Sequence, residues 1–349
     1  MNTRKWVKKW YITFMLIIFV ITGMNFLVDP FWIHKHENIL NRVQKPFNER
    51  QQKTNNIYFS GFDYDAIVLG SSRTTYIKQT DFHNMKMYNY ALSWAMPFEF
   101  KDYIDFTKEL SSDDLKYIII GADFFGTNDN FRMANKEGKY YIQEATSFAY
   151  QYKSLINLDA TRESIKNIFY SIKGSSRVYY DRHNVKYRPE ASISESKKKY
   201  EKNIIRKGSG FSNANYIYSP LYKVNMQIIK NTNPNSQCIV FTTPVTDGFL
   251  LAILNNEGRL NDYKRWLHEL VDVFGSVHHF MNFNEISKNH SNYIDAEHFY
   301  PRIGTLIANK ISEKENLNIP KDFGAILTKD NINSYLKDFE KELSSYKLD

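Results

Sequence analysis

The chain has one cysteine, Cys238, among its 349 residues. No intramolecular disulfide can therefore form. Because Cys238 lies within an apolar run, we interpret it as a small core residue rather than a nucleophile. The sequence also lacks an internal repeat, a phosphate-binding glycine loop and a cysteine–histidine zinc pattern. His34 and His36 have metal-like spacing but no third ligand nearby, so we interpret them as surface residues and predict no metal. No other cofactor is predicted.

A large basic excess is missing from most of the chain. The formal net charge is +8, but four of the 46 lysine and arginine residues precede the first acidic residue. The remainder is only mildly basic, so no nucleic-acid partner is predicted. The most basic internal run, residues 197–207, favours a solvated helix face, with a site for an anionic polymer or headgroup as the alternative.

Residues 10–28 form a long apolar run without any charge. Its length matches the roughly 20 residues that a helix needs to cross the hydrocarbon core. The basic residues before it and Asp29 after it predict a single-pass protein of the cell membrane, with a cytoplasmic N-terminus and an extracytoplasmic remainder. A cleavable signal peptide and a buried core helix are the alternatives. Gly23-Met24-Asn25 is a poor cleavage site, so a retained anchor is favoured.

From Asp65 onward, short apolar runs alternate with amphipathic stretches. This alternation predicts an α/β fold: a doubly wound, flavodoxin-like parallel sheet of about five strands with helices on both faces. The predicted strands are residues 66–69, 85–91, 117–121, 238–241 and 279–283. The predicted helices are residues 97–110, 161–172, 222–230, 260–274 and 301–312.

The same patterns divide the chain into consecutive segments. An insertion at about residues 127–220 interrupts the alternation and is expected to be a lid or a polymer-docking element beside the site. The predicted segments are a cytoplasmic tail (1–9), a transmembrane anchor (10–28), a connector (29–61), the α/β domain (62–325) and a C-terminal amphipathic helix (326–349).

Two distant motifs carry the residue types of a catalytic triad. Gly70-Ser71-Ser72-Arg73 follows the first predicted strand, at the edge of the sheet where ligands collect in open α/β folds. Asp295-Ala296-Glu297-His298 precedes the last helix of the domain. A serine hydroxyl needs a base to become a nucleophile, and the base works best when a carboxylate orients it. Ser72, His298 and Asp295 supply these three roles.

These motifs resemble those of the SGNH, or GDSL, hydrolase superfamily, over residues 65–311. The resemblance implies an SGNH-type fold, with Ser72 as nucleophile and Asp295 and His298 as the D-x-x-H motif. It also implies an oxyanion hole formed by the backbone N–H groups of Ser72 and Trp94, with Asp123 where the family usually has a donating asparagine. In the family, a glycine after the second strand supplies a backbone donor, and residues 89–94 occupy that place without a glycine. An ionised Asp123 only accepts hydrogen bonds.

The G-S-S-R form is similar to that of membrane-anchored relatives in cell-surface acylation, including lipoteichoic-acid D-alanylation and alginate acetylation proteins. The resemblance implies a serine acyltransferase or esterase that acts on O-acyl groups, most often O-acetyl, of a cell-surface polysaccharide. A polytopic membrane-bound O-acyltransferase is the expected donor partner. Ser71, Arg73 and Thr243 are predicted to contact substrate. Transfer and hydrolysis both stay open, and the alternative is a catalytically inactive binding or assembly subunit.

Overall fold

The computed structural model describes residues 3–111, 113–131, 137–190, 193–316 and 318–348. The helices are α1 (Thr3–Val28), α2 (Glu49–Ser60), α3 (Phe100–Leu110), α4 (Gly138–Thr146), α5 (Tyr150–Leu155), α6 (Leu158–Lys173), α7 (Ile193–Gly208), α8 (Tyr222–Asn231), α9 (Asp247–Leu254), α10 (Arg259–Phe274), α11 (Glu285–Lys288), α12 (Pro301–Ile311) and α13 (Ile332–Ser345). The strands are β1 (Ala66–Leu69), β2 (Met87–Asn89), β3 (Tyr117–Ala122), β4 (Tyr179–Tyr180), β5 (Lys186–Tyr187), β6 (Gln237–Thr242), β7 (Ser276–His279) and β8 (Ala325–Thr328).

The chain divides into two compact units. We call residues 1–62 with 137–189 the N-terminal unit, and residues 63–136 with 190–349 the α/β unit. The N-terminal unit holds α1, α2, α4, α5, α6 and the β4–β5 hairpin. The connector segment and part of the predicted insertion therefore fold in the same unit as the apolar N-terminal helix.

The α/β unit is built on a six-stranded sheet in the order β2-β1-β3-β6-β7-β8. The first five strands pair in parallel, and β8 pairs with β7 in the antiparallel sense. The predicted mixed α/β class with a mostly parallel sheet is thus confirmed. The strand order reverses between β1 and β3, so the carboxyl ends of these strands flank the position where such sheets bind ligands.

The sixth strand, β8, lies where the sequence predicted the start of a helix over residues 326–349. Leu327 is buried whereas its neighbour Ile326 is exposed, as expected of adjacent residues in a strand, whose side chains point to opposite faces. The helical spacing begins only at Ile332, where α13 starts. The predicted helix boundary at residue 326 is therefore wrong by six residues.

The predicted strand at residues 279–283 also differs from the structure, because β7 ends at His279. The next backbone N–H groups, of Phe280 and Met281, donate to Thr242 Oγ1 at 2.9 and 3.1 Å. These donors therefore bind a side chain at the end of β6 rather than continuing the ladder, and the apolar residues after His279 form a buried loop.

Helix α2 shows why the segment over residues 29–61 lacked a helical signal. Its inward side chains are polar, so no apolar period marks it. Gln51 donates to the carbonyl of Tyr141 at 3.2 Å, and Asn55 donates to the carbonyl of Phe31 at 2.8 Å. These hydrogen bonds satisfy the buried amide donors of Gln51 and Asn55, which lowers the cost of burying them.

Helix α12 packs its apolar face on the sheet. Ile303, Ile307 and Ile311 recur every four residues and join the buried cluster that contains Val68 and Ile119. Gly304 lies against the segment after Ser72: a Cβ there would stand 2.8 Å from the Tyr76 carbonyl oxygen. This close approach brings the helix that follows His298 against the loop that follows Ser72.

We predict that Gly304→Ala lowers the free energy of unfolding by about 1–3 kcal/mol, because the added methyl group overlaps backbone that cannot rotate away. Urea denaturation of the full-length protein in detergent measures the change. Gly210→Ala is the matched control in the same unit, since a Cβ at Gly210 has no atom within 4 Å. Equal denaturation midpoints for both variants would contradict the close packing.

Candidate active site

A glycine turn presents Ser72 at the carboxyl end of β1. Gly70 has φ +151°, and a Cβ at this position would lie 2.3 Å from Thr74 Oγ1, so only glycine fits. The backbone N–H of Thr75 donates to the carbonyl of Ser71 at 3.2 Å and closes the turn. Ser72 is partly exposed, between the buried Ser71 and Arg73.

A compact loop between α11 and α12 holds the other two members of the predicted triad. Asp295 Oδ1 accepts the backbone N–H groups of Glu297 and His298, each at 2.9 Å. The backbone N–H of Ile294 donates to the carbonyl of His298 at 2.7 Å. These bonds fold the loop back on itself and place the imidazole beside the carboxylate of its own loop.

The structure brings the three side chains together. Ser72 Oγ lies 2.8 Å from His298 Nε2, and His298 Nδ1 lies 3.0 Å from both carboxylate oxygens of Asp295. With the Nδ1 proton donated to Asp295, Nε2 is free to accept the proton of the Ser72 hydroxyl. The arrangement supplies a hydroxyl, a base in contact with it and a carboxylate that orients the base.

The electrostatic surroundings favour the protonation states that this chemistry requires. Burial lowers the pKa of His298, helped by the cations Lys207 and Arg73, and these effects outweigh the opposing charge of Asp295. Burial raises the pKa of Asp295, but the charge and hydrogen bonds of His298 and the charge of Lys207 prevail and lower it to about 2. At neutral pH the imidazole is therefore neutral and the carboxylate ionised.

Arg73 lies in a buried ion network beneath the triad. Its two terminal nitrogens bind Asp123 Oδ1 at 2.7 Å and Glu297 Oε2 at 2.8 Å, and one also donates to Thr243 Oγ1 at 3.3 Å. A buried guanidinium requires such partners. Of the residues predicted to contact substrate, Arg73, Thr243 and Ser71 all have buried side chains, and Ser71 Oγ accepts the Arg73 backbone N–H.

The predicted oxyanion residues have different environments. Asp123 accepts hydrogen bonds from Arg73 and Thr243, the acceptor role expected of a carboxylate. Trp94 has φ +59°, a left-handed conformation that glycine usually supplies. The backbone therefore turns here without the missing glycine. The N–H of nearby Leu92 donates to the Gly70 carbonyl at 3.0 Å and joins this loop to the turn that carries Ser72.

Sequence reasoning missed two charged residues beside the imidazole. Lys207, at the end of α7, forms an ion pair with Glu297, and Glu297 Oε1 lies 3.8 Å from His298 Nδ1. Burial lowers the pKa of Lys207 to about 8, with Arg73 and Arg206 contributing and Asp295 opposing. Lys207 belongs to a run whose other basic residues are exposed, so composition gave no sign of its separate environment.

Asp295, Glu297 and His298 place one potential ligand atom each within 4.8 Å of one another, a spacing that a metal ion tolerates. The atoms that would bind the metal already have other partners. Glu297 pairs with Arg73 and Lys207, and both oxygens of Asp295 face the imidazole. The positive charges of Arg73 and Lys207 would repel a metal cation at this position, so this donor set does not fit a metal.

Comparison with protein-family models gives no match, and no curated protein matches the sequence. Function is therefore inferred from the residues and the geometry of the site.

We predict that Lys207→Met raises the pKa of His298, whereas Glu297→Gln lowers it. The first variant removes a cation that disfavours the imidazolium, and the second removes an anion 3.8 Å from the ring that favours it. NMR titration of the ¹³Cε1 resonance that His298→Gln eliminates measures both values. Lys202→Met, at an exposed lysine of the same helix, should change nothing. Shifts of the same sign in both variants would contradict the arrangement.

Proposed function

We propose that this chain is a membrane-anchored, extracytoplasmic SGNH-type serine acyltransferase or esterase. It acts on O-acyl groups, chiefly O-acetyl, of a cell-surface polysaccharide. The main observation in support of this proposal is the chain of contacts at the site. Ser72 Oγ lies 2.8 Å from His298 Nε2, and His298 Nδ1 lies 3.0 Å from Asp295 Oδ1. The parallel strand order β2-β1-β3-β6-β7 agrees with the flavodoxin-like arrangement expected of an SGNH-type fold.

In the proposed reaction, Ser72 Oγ attacks the acyl carbonyl while His298 Nε2 takes the hydroxyl proton. The backbone N–H groups of Ser72 and Trp94 stabilise the negative charge that develops on the carbonyl oxygen. The ester C–O bond then breaks, and His298 returns the proton to the departing alcohol. This sequence leaves an acyl group on Ser72 and requires no cofactor.

The second half of the reaction decides between the two activities. A sugar hydroxyl or a water molecule attacks the acyl-enzyme, with His298 again acting as base. Attack by the sugar gives transfer, and attack by water gives hydrolysis. In the transfer version, a polytopic membrane-bound O-acyltransferase provides the acyl group at the outer side of the membrane.

Helix α1 supports the proposed location. It is 26 residues long with a mean hydropathy of 2.2 over its most apolar window, enough to span a membrane. The four basic residues that precede the apolar run favour a cytoplasmic N-terminus and an extracytoplasmic site.

A catalytically inactive binding or assembly subunit is the second candidate. The observation in its favour is Asp123, which accepts hydrogen bonds from Arg73 and Thr243 and donates none as a carboxylate. With Asp123 unable to donate, only backbone N–H groups could stabilise an oxyanion at this site. The two candidates differ in whether Ser72 reacts.

We predict that a fluorophosphonate probe labels the full-length protein at Ser72. Ser72→Ala should abolish labelling, and His298→Gln should slow it by about 10³-fold or more, because an unactivated hydroxyl is a poor nucleophile. In-gel fluorescence measures the rates. Ser209→Ala is the control at an exposed serine of the same unit. Labelling that persists in Ser72→Ala would overturn the assigned nucleophile, and a folded but unlabelled wild type would favour the inactive subunit.

The pH dependence of this labelling should follow the imidazole. Only neutral His298 accepts the Ser72 proton, so the rate should fall with decreasing pH as His298 becomes protonated. Because burial lowers the pKa of His298, the half-maximal rate should occur below pH 6.5, the ordinary histidine value. A half-maximal rate above pH 7 would show that the imidazole is not held in its neutral form.

A further inference from the structure

Helix α6 of the N-terminal unit has its polar face inward and its apolar face outward. Its buried residues are Ala160, Glu163, Ser164, Asn167 and Ser171. On the opposite side, Leu158, Ile165, Phe169 and Ile172 are 81%, 58%, 51% and 63% exposed. They recur at helical spacing and form one stripe. A surface helix of a water-soluble domain has the reverse arrangement.

Hydrogen bonds fix this orientation of α6. Asn167 Nδ2 donates to Gln44 Oε1 at 2.7 Å, and Asn167 Oδ1 accepts the backbone N–H of Lys45 at 3.0 Å. One turn further on, Ser171 Oγ accepts the backbone N–H of Val43 at 3.1 Å. Rotating the helix to bury its apolar stripe would break all of these buried bonds.

The same face attaches α6 to the end of α1. Asn25 Nδ2 donates to Thr161 Oγ1 at 3.0 Å and to the carbonyl of Leu155 at 2.8 Å, and Ser164 Oγ donates to Asn25 Oδ1 at 2.9 Å. Asn25 stands three residues before the end of α1 at Val28. If α1 spans a bilayer, α6 therefore lies at the level where the chain emerges from it.

The neighbouring surface has the composition of a membrane interface. Phe148, Tyr152 and Ile156, on and around α5, are 93%, 69% and 61% exposed. Lys153, Arg162 and Lys173 are exposed among them. The Lys173 ammonium lies 4.7 Å from the Phe169 ring centroid. Long basic side chains beside an apolar stripe reach headgroups while the stripe contacts acyl chains.

We propose that residues 148–173, which we call the interfacial segment, lie in the membrane–water interface of the leaflet where α1 ends. The apolar stripe of α6 is then buried among lipid acyl chains, and the basic residues lie among the headgroups. The occupant of this surface is the lipid bilayer. The segment provides a second membrane attachment of the N-terminal unit beside α1. This proposal does not depend on whether Ser72 reacts.

The single cysteine makes a labelling test direct. In a Cys238→Ala background, the variants Ile165→Cys, Phe169→Cys and Ile172→Cys each carry one NBD fluorophore. The full-length protein is placed in phosphatidylcholine–phosphatidylglycerol vesicles, with or without phospholipid that bears a doxyl quencher on its acyl chain. Ile205→Cys, at an isoleucine of the α/β unit that is 78% exposed, is the matched control. Val20→Cys in α1 reports whether the anchor has inserted.

We expect doxyl lipid to quench the three α6 labels at least twofold, as it does the Val20 label, and to leave the Ile205 label unchanged. Aqueous iodide should quench only the Ile205 label. If iodide quenches the α6 labels as it does the control, the stripe faces water and the proposal fails. If neither quencher reaches them, protein covers the stripe and the assignment to lipid is wrong. Quenching of Val20 alone would keep the anchor and overturn the interfacial segment.

Discussion

The candidate site depends on one buried cation. The guanidinium of Arg73 lies next to the predicted nucleophile in sequence and pairs with carboxylates from two other loops, Asp123 after β3 and Glu297 before α12. A guanidinium buried without partners is strongly unfavourable, so each loop is fixed by its contribution to the network. The ion pair between Arg73 and Glu297 also holds Ser72 close to His298, because Ser72 precedes Arg73 and His298 follows Glu297 in the sequence.

Two residues that were unexpected from the resemblance noted in the sequence, Asp123 and Trp94, each have a clear structural role. As a carboxylate, Asp123 forms an ion pair with Arg73. Residues 89–94 contain no glycine, and Trp94 adopts the left-handed backbone conformation itself. A non-glycine residue in that region costs of order 1 kcal/mol or more, and such strain is concentrated at functional sites. Asp123 thus belongs to a buried charged network with Arg73 and Glu297.

Much of the sheet could be predicted from sequence because buried parallel strands are continuous apolar runs, as in Ala66–Leu69. The meeting of Ser72 with His298 could be expected from their residue types, a hydroxyl and a base beside a carboxylate, although His298 lies in a loop between α11 and α12 and not at a strand end. The pairing of Arg73 with Glu297 could not, because residues 224 positions apart leave no local pattern. Helices α2 and α6 show a different limit. Amphipathic analysis assumes that apolar faces point inward, and in both helices the buried residues are mainly polar.

Asp295 has a second task that bears on how divergent copies of this fold should be interpreted. Its Oδ1 atom accepts two backbone N–H groups of its own loop, so the carboxylate shapes the loop as well as orienting the imidazole. This structural role does not depend on whether the site is catalytic. Ser72 makes no comparable contribution to loop geometry through its hydroxyl. If the proposed function is correct, the presence of the serine is therefore a better mark of a working copy of this fold than the presence of the aspartate.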